Sequence, residues 1–175
     1  MKASKGATRS CGAILGVLSD SHGQAARTRR AVDLLVERGA TTLIHCGDLE
    51  TLACVDPLAG LDAHLVSGNC DDSHALAEYA QSLGVLMHGA FGTLIHADST
   101  IAFGHGHRDD LGQAVAAVRP RWLFHGHTHL RKYQRGDGIN VVNPGALSDL
   151  RPAGARPSVA LVNLDSESVE FIEID

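Results

Sequence analysis

The chain predicts an α/β fold in which two facing mixed β-sheets are flanked by helices, an αββα sandwich. Three observations point to it. In the first half, short apolar runs alternate with amphipathic stretches, the rhythm of βαβ units with parallel strands. In the second half, apolar runs are separated by tight polar turns, the rhythm of hairpins. In both halves, strand after strand runs into a turn rich in Asp, Asn, His and Gly, and parallel connections bring such turns to one edge of a sheet.

Residues 13–18 are a short apolar run, a buried first strand, and lead straight into Ser19-Asp20-Ser21-His22-Gly23. Residues 24–38 read as a helix on which Ala31, Leu34, Leu35 and Arg38 share a face. Arg27, Arg29 and Arg30 form its solvated side, and Gly39 fits its C-terminal stop. Residues 41–46, β-branched and apolar, make a second strand ending in Gly47-Asp48. A short helix is expected from there to about Asp56, stopped by Pro57. Residues 63–66 give a third strand, ending in Ser67-Gly68-Asn69-Cys70-Asp71-Asp72, and residues 73–83 a helix. Residues 85–88 and 93–96 read as strands flanking Gly89-Ala90-Phe91-Gly92, a hairpin turn. Ile101-Ala102-Phe103 and Trp122-Leu123-Phe124 are strands on either side of a helix at 111–118, where Leu111, Val115 and Val118 share a face. The first of these strands delivers Gly104-His105-Gly106-His107 and the second Gly126-His127-Thr128-His129. Residues 131–135 and 139–142 flank the tight turn Gly136-Asp137-Gly138, Asn143-Pro144-Gly145 is a further turn, and residues 158–164 and 169–174 form a last hairpin. The expected organisation is one domain over residues 13–175 behind a flexible N-terminal extension at 1–12, with no linker, internal repeat or low-complexity segment.

With 175 residues, 44% of them hydrophobic and 20% charged, the chain suits one domain with a real core. A formal net charge of −5, with Lys and Arg scattered, lacks the basic footprint of a nucleic-acid binder. Cys11, Cys46, Cys54 and Cys70 contain no C-x-x-C pair and read as free thiols in a reducing compartment, the cytoplasm. The apolar run at 13–18 is short, is broken by Gly16 and ends at Ser19-Asp20, which argues against a secretory signal. The basic start is only a weak match to a transit peptide, and no run is long enough to span a membrane.

Five of the eleven histidines lie between residues 103 and 129. A glycine before His105, His107 and His127 lets the backbone turn sharply and approach closely. Collected, the strand-end residues are Asp20, His22, Asp48, Asn69, His105, His127 and His129. Oxygen and imidazole donors of this mix suit manganese, iron, nickel or zinc. Seven are too many for one tetrahedral zinc and fit two ions, roughly 3.5–4 Å apart, that share a carboxylate. Two divalent ions bring four positive charges against the negatives of Asp20 and Asp48, so the site should favour an anion such as a phosphate ester. Taken singly, Asp20-Ser21-His22 reads as a capping turn, and Gly47-Asp48 and Gly68-Asn69 as plain turns. His64, His74, His88 and His96 read as surface or partly buried, His45 and His125 as core or beside the ligands, and Cys46 and Cys54 as packed. Gly104-x-Gly106 is no dinucleotide fingerprint, because residue 109 is Asp. It is the conjunction at successive strand ends that argues for metal.

Asp-x-His, Gly-Asp, Gly-Asn-x-Asp, Gly-His and Gly-His-x-His, in this order, resemble the motifs of the calcineurin-like metallophosphoesterases. The chain is most similar to their small single-domain bacterial and archaeal branch, the YfcE-like phosphodiesterases, over residues 14–164. The resemblance implies a metallophosphoesterase-like sandwich with Asp20, His22 and His129 on one ion, Asn69, His105 and His127 on the other, and Asp48 bridging. His105 rather than His107 is the implied ligand. His107, Asn69 and Cys70 are the implied catalytic residues, with Arg108 beside His107. Asn143-Pro144-Gly145 resembles the turn that closes the family site, although many relatives have Ser where this chain has Ala146. Larger nucleases and protein phosphatases carry His at the position of Cys70, and a thiol is a poor acid at neutral pH. The implied activity is hydrolysis of a small phosphodiester by a hydroxide bridging two divalent ions, manganese first. Phosphomonoesterase or nucleotidase activity is the first alternative. The second is a non-catalytic protein-binding scaffold, the route of the eukaryotic retromer subunit, which lacks the His of the first block; here His22 and the other six positions are intact. Small relatives self-associate, so a homo-oligomer is compatible with the resemblance.

Overall fold

Apolar residues alternate along the strands with a period of two, and the two faces of the first sheet feed two separate cores. The computed structural model describes residues 13–108 and 111–175; the expected flexible extension at 1–12, with Cys11, lies outside them. In chain order the elements are β1 (Ile14–Leu18), α1 (Ala25–Glu37), β2 (Thr42–His45), β3 (Ala63–Leu65), α2 (Ser73–Ser82), β4 (Leu86–Met87), β5 (Phe91–His96), β6 (Ser99–Gly104), α3 (Leu111–Val118), β7 (Trp122–Phe124), β8 (Arg131–Gly136), β9 (Ile139–Pro144), β10 (Ser158–Asn163) and β11 (Ser168–Glu173). A six-stranded sheet runs β11-β10-β1-β2-β3-β4 and a five-stranded sheet β5-β6-β7-β9-β8. Strands β1 to β4 are parallel, as are β6, β7 and β9. The catalytically interesting turns therefore leave the same ends of parallel strands, as the βαβ rhythm predicts.

Leu18, Leu43 and Leu65 pack outward against Ala31, Val32 and Leu35 of α1 and Leu76 and Ala80 of α2. Leu15, Val17, Ile44 and Val66 point the other way, onto Ile101, Phe103, Trp122, Phe124 and Val142 of the second sheet. Helix α3 buries no residue fully. Among the described residues, no helix is long and apolar enough to cross a membrane.

Several local expectations are corrected. Residues 85–88 and 93–96 do not form a hairpin: β4 lies beside β3 at the edge of the first sheet, whereas β5 pairs with β6 in the second. Gly92 is a strand residue rather than a turn residue: it pairs with Phe103 in the ladder, and it must be glycine because a Cβ there would fall 2.3 Å from Cζ of Phe103. The true hairpin turn carries Ala97 at φ 50°. Pro57 does not stop a helix; it sits in the first turn of the second of two 3₁₀ turns, Leu52–Cys54 and Asp56–Leu58, where its missing N–H costs nothing. Asn143 and Pro144 belong to β9, and the turn begins at Gly145 with φ 87°. On α1 the buried face is Thr28, Ala31, Val32 and Leu35, so Arg38 stays outside. Arg27 is not on the solvated side: it donates to the Leu147 carbonyl (2.6 Å) and pairs with Asp149 (3.1 Å).

Candidate metal centre

The turn after β1 is laced to the turn after β2 through backbone bonds. Asp20 N donates to Gly47 O, His22 N to Asp48 O and Gly23 N to Leu49 O, each at 3.0 Å. From the other side, Ser148 N donates to Asp20 O (2.9 Å) and Gly126 N to His105 O (3.0 Å). This lacing holds unusual backbone. Among the described residues, six of the ten non-glycine residues with positive φ are Asp20, His22, Asp48, Glu50, His127 and His129. Left-handed backbone at such residues costs on the order of 1–3 kcal/mol each and persists only where the surroundings impose it. Two glycines permit the close approach: a Cβ at Gly68 would lie 2.0 Å from Asp48 Oδ1, and one at Gly126 would lie 1.9 Å from Ser19 Oγ and 2.6 Å from Asp20 Oδ2.

Three imidazoles then face two buried carboxylates in the same way. Nδ1 of His105 donates to the Cys46 carbonyl (2.8 Å), which leaves Nε2 facing Asp48 Oδ2 at 3.2 Å and Asp20 Oδ1 at 3.9 Å. Nδ1 of His129 donates to the Leu150 carbonyl, and its Nε2 faces Asp20 Oδ1 at 3.2 Å. Nδ1 of His22 faces Glu50 at 3.5 Å, while its Nε2 lies 3.3 Å from His129 Nε2 and 3.6 Å from Asp48 Oδ2. In His105 and His129 the far nitrogen donates to a backbone carbonyl, so in the neutral ring the near one turns a lone pair toward carboxylate oxygens; His22 presents its Nε2 in the same direction. Such convergence is repulsive unless a proton or a cation lies between, and it is the outer-sphere arrangement that orients imidazoles for metal. Nε2 of His105 is buried without a hydrogen-bond partner. One ligand atom from each of Asp20, His22 and His129 falls within a 4.8 Å cluster, as does one from each of Asp20, Asp48 and His105. These two groups meet at Asp20, and Asp48 also clusters with His22 and Cys70, so the donor set fits divalent metal ions.

Protonation states follow this crowding. Burial raises the Asp48 pKa, but His105 and the Cys70 amide outweigh it and hold the carboxylate well below its usual range. Burial works against a charged His105, and the two carboxylates overcome it and raise its pKa; Asp20 raises that of His129.

The other expected residues sit at the rim. His127 donates its amide to both oxygens of Asp20 (3.1 and 3.2 Å), and its exposed ring lies 5.2 Å from that of His105. The ring of His107 is 5.3 Å from that of His105, and its Nδ1 is buried without a partner. Burial, and then His105 and His127, lower the His107 pKa, which favours a neutral ring at neutral pH. Asn69 is exposed and donates to Cys70 Sγ (3.3 Å); no contact ties its side chain directly to the carboxylates. Burial and the neighbouring Asp48 push the Cys70 thiol up to about 11, so it stays protonated at neutral pH. Arg108 lines the same cavity as His107.

Sequence reasoning gave no separate role to Asp71, Glu50 or the Leu150 carbonyl, which help hold these turns, whereas His45 and Asn143, expected beside the ligands and in a closing turn, brace them. Asp71 accepts from Asp48 N (2.9 Å) and Gly68 N (2.8 Å) on one oxygen and from Glu50 N (2.8 Å) on the other. Its signal was the Asp that closes the Gly-Asn-x-Asp block. Glu50 follows Asp48 by two residues, the spacing that also separates His22 from Asp20. Together Asp71 and Glu50 bring two more carboxylates, so the positive surplus with metals bound is smaller than Asp20 and Asp48 alone suggest. His45 accepts from Gly47 N at Nδ1 (3.2 Å), so its neutral ring donates from Nε2 to Ser21 Oγ (2.8 Å) and braces the first turn against the second. Asn143 donates to Gly126 O (2.8 Å) and Thr128 Oγ1 (3.1 Å), fixing the last turn. The Leu150 carbonyl had no signal at all, since any residue supplies one.

Similarity to known proteins agrees with this geometry. Residues 14–167 match the calcineurin-like phosphoesterase superfamily domain. The chain is 27% identical over 165 residues to phosphodiesterase MJ0936 of Methanocaldococcus jannaschii, covering 91% of this chain and 97% of that protein. A novel archaeal phosphodiesterase superimposes with a TM-score of 0.80 at 22% identity, covering 91% of this chain and 99% of its own. YfcE, a phosphoesterase from E. coli, superimposes with a TM-score of 0.67 at 22% identity, covering 93% and 100%. With its sheets, its five motif turns and its domain match in agreement, the chain belongs to the calcineurin-like phosphoesterase superfamily, whose chemistry is the hydrolysis of phosphoester bonds.

Proposed function

We propose that residues 13–175 act as one domain, a dinuclear metal-dependent phosphodiesterase for a small substrate. The observation that carries this reading is the convergence of three Nε2 atoms, from His22, His105 and His129, on Asp20 and Asp48. Asp20, His22 and His129 would hold one divalent ion and Asn69, His105 and His127 the other, with Asp48 shared. Manganese is the first candidate, and iron, nickel and zinc are the alternatives. Two bound cations supply an activated water at neutral pH and positive charge opposite the phosphate oxygens.

The protein's own groups do the rest. His107, neutral and with a buried unpartnered Nδ1, stands beside His105 to meet a phosphate oxygen or the departing alkoxide. Cys70 is too weak an acid to protonate a leaving group at neutral pH, so its part is to pack at the rim, where Asn69 donates to its sulfur. The buried Cys46 and Cys54 and the exposed Cys70 are all unpaired, which fits a reducing compartment such as the cytoplasm.

The experiment is hydrolysis of bis(p-nitrophenyl) phosphate beside p-nitrophenyl phosphate, by chelator-treated protein with and without added manganese. Diester turnover only with metal is expected. Monoester turnover alone would replace the reading with a phosphatase or nucleotidase. Protein that binds no metal and stays folded would replace it with the scaffold.

A further inference from the structure

Phe91 opens β5 and stands opposite Gly104 in the antiparallel ladder with β6. A Cβ on Gly104 would lie 2.9 Å from Leu111 Cδ1 and 3.6 Å from Phe91 Cδ2. The Phe91 ring and the Leu111 side chain thus converge over the residue that precedes His105. Ala114, one turn along α3 from Leu111, continues the same wall. A cavity of about 340 Å³ opens there, lined also by His105, His107 and Gln113. Phe91, Leu111 and Ala114 are each only half-buried, and α3 buries none of its residues fully, so this apolar surface is unused by the core.

We infer that this cavity receives a planar aromatic group of the substrate, so that aryl or nucleobase-bearing phosphate esters are preferred to alkyl ones. The inference rests on the phosphoesterase reading above and deepens it. The volume lies at the low end of the ~300–1,000 Å³ typical of small-molecule pockets, room for one ring system and not for a folded partner. The lining supplies what such a ring needs: an aromatic side chain in Phe91, aliphatic ones in Leu111 and Ala114, and an amide in Gln113 for heteroatoms. The end next to His105 places the phosphate within reach of His107, whose Nδ1 is buried and unpartnered. One ester thus spans both parts, its anion at the histidines and its ring between Phe91 and α3.

The test is calorimetric titration of manganese-loaded protein with phenylphosphonate and with methylphosphonate, which present the same anion and differ in the ring. Turnover of bis(p-nitrophenyl) phosphate by the same preparation checks the phosphoesterase reading separately. Phenylphosphonate should bind about tenfold more tightly, the equivalent of burying one face of a ring. Ala114→Trp, which fills the cavity from an exposed helix, should abolish that advantage and leave methylphosphonate binding unchanged. Phe91→Leu should reduce it about threefold if the ring stacks. A third titrant, uridine 5′-monophosphate, separates the two sources of the ring: tighter binding than phenylphosphonate assigns a nucleobase, weaker binding a simple aryl group. Equal affinities for the two phosphonates, or binding of neither, in protein that turns over the diester would overturn the inference and leave the phosphoesterase standing. Absence of turnover would remove the reading on which both rest.

Discussion

Asp71 is the residue on which the second and third turns hang, and Asp71→Asn tests how they are held. Its carboxylate is half-buried and accepts three backbone N–H groups, from Asp48, Gly68 and Glu50, at 2.8 to 2.9 Å. Hydrogen bonds to a charged acceptor contribute about 1.5–3 kcal/mol each, and neutral ones about 0.5–1.5 kcal/mol. An asparagine amide can turn its single oxygen toward Asp48 N and Gly68 N. Its NH₂ then meets the Glu50 N–H, donor against donor. One bond is lost and two become neutral, a net loss of about 2–3 kcal/mol at the conservative end of those ranges. For a chain of this length that lowers the melting temperature by roughly 4–12 °C. The chemistry should suffer as well, because the Asp48 amide is what Asp71 positions and the Asp48 carboxylate is what both ions would share. Loss of such an outer partner typically weakens metal affinity about 10–100-fold. Calorimetric titration of metal-free protein with manganese, beside thermal unfolding, reads both effects. An Asp71→Asn protein that melts at the wild-type temperature and binds two ions with wild-type affinity would refute the reasoning.

Gly126→Ala should be more severe at the first ion: the new methyl group would overlap Ser19 Oγ and press on Asp20 Oδ2, so manganese stoichiometry should fall below two even where circular dichroism shows a folded chain. His107→Ala should leave manganese binding intact and lower kcat on an aryl diester about 10²-fold, the usual effect of deleting one group that meets the developing charge; unchanged kcat would remove His107 from the chemistry. His45 gives a pH dependence. Burial chiefly lowers its pKa from 6.5 to about 4, so above pH 6.5 both folded and unfolded chains leave it neutral. As pH falls from there, the unfolded chain takes up a proton that the fold refuses, and stability drops by about 2 kcal/mol between roughly pH 7.5 and pH 5. His64, His88 and His125, also lowered by burial, act in the same direction, while His105 and His129 oppose it. Urea unfolding of metal-free wild type and His45→Gln at both pH values isolates this residue: a loss no larger in wild type than in the variant would contradict it.

The sequence by itself determined the sandwich, the order of most elements and the strand-end donors, for one reason. Period-two apolar runs and polar turns are local patterns, and parallel connections leave few places for their turns to meet. Asp20, His22, Asp48, His105 and His129 could be named because each is a chemically distinctive side chain at a strand end. Tertiary structure decided what depends on a partner distant in sequence. Residues 85–96 cross between sheets because β4 pairs with β3 and β5 with β6, and Gly92 leaves room there for the Phe103 ring. Arg27 leaves its solvated face because the Leu147 carbonyl and Asp149 lie within its reach. Asp71, Glu50, Asn143 and the Leu150 carbonyl acquire their roles only when separate turns are brought within hydrogen-bond distance. The apolar cavity beside His105 likewise exists only because Phe91 and Leu111, twenty residues apart in the chain, meet over a glycine. Local pattern determines which residues can carry chemistry, while the positions of their supporting partners follow from packing, which no short window of sequence contains.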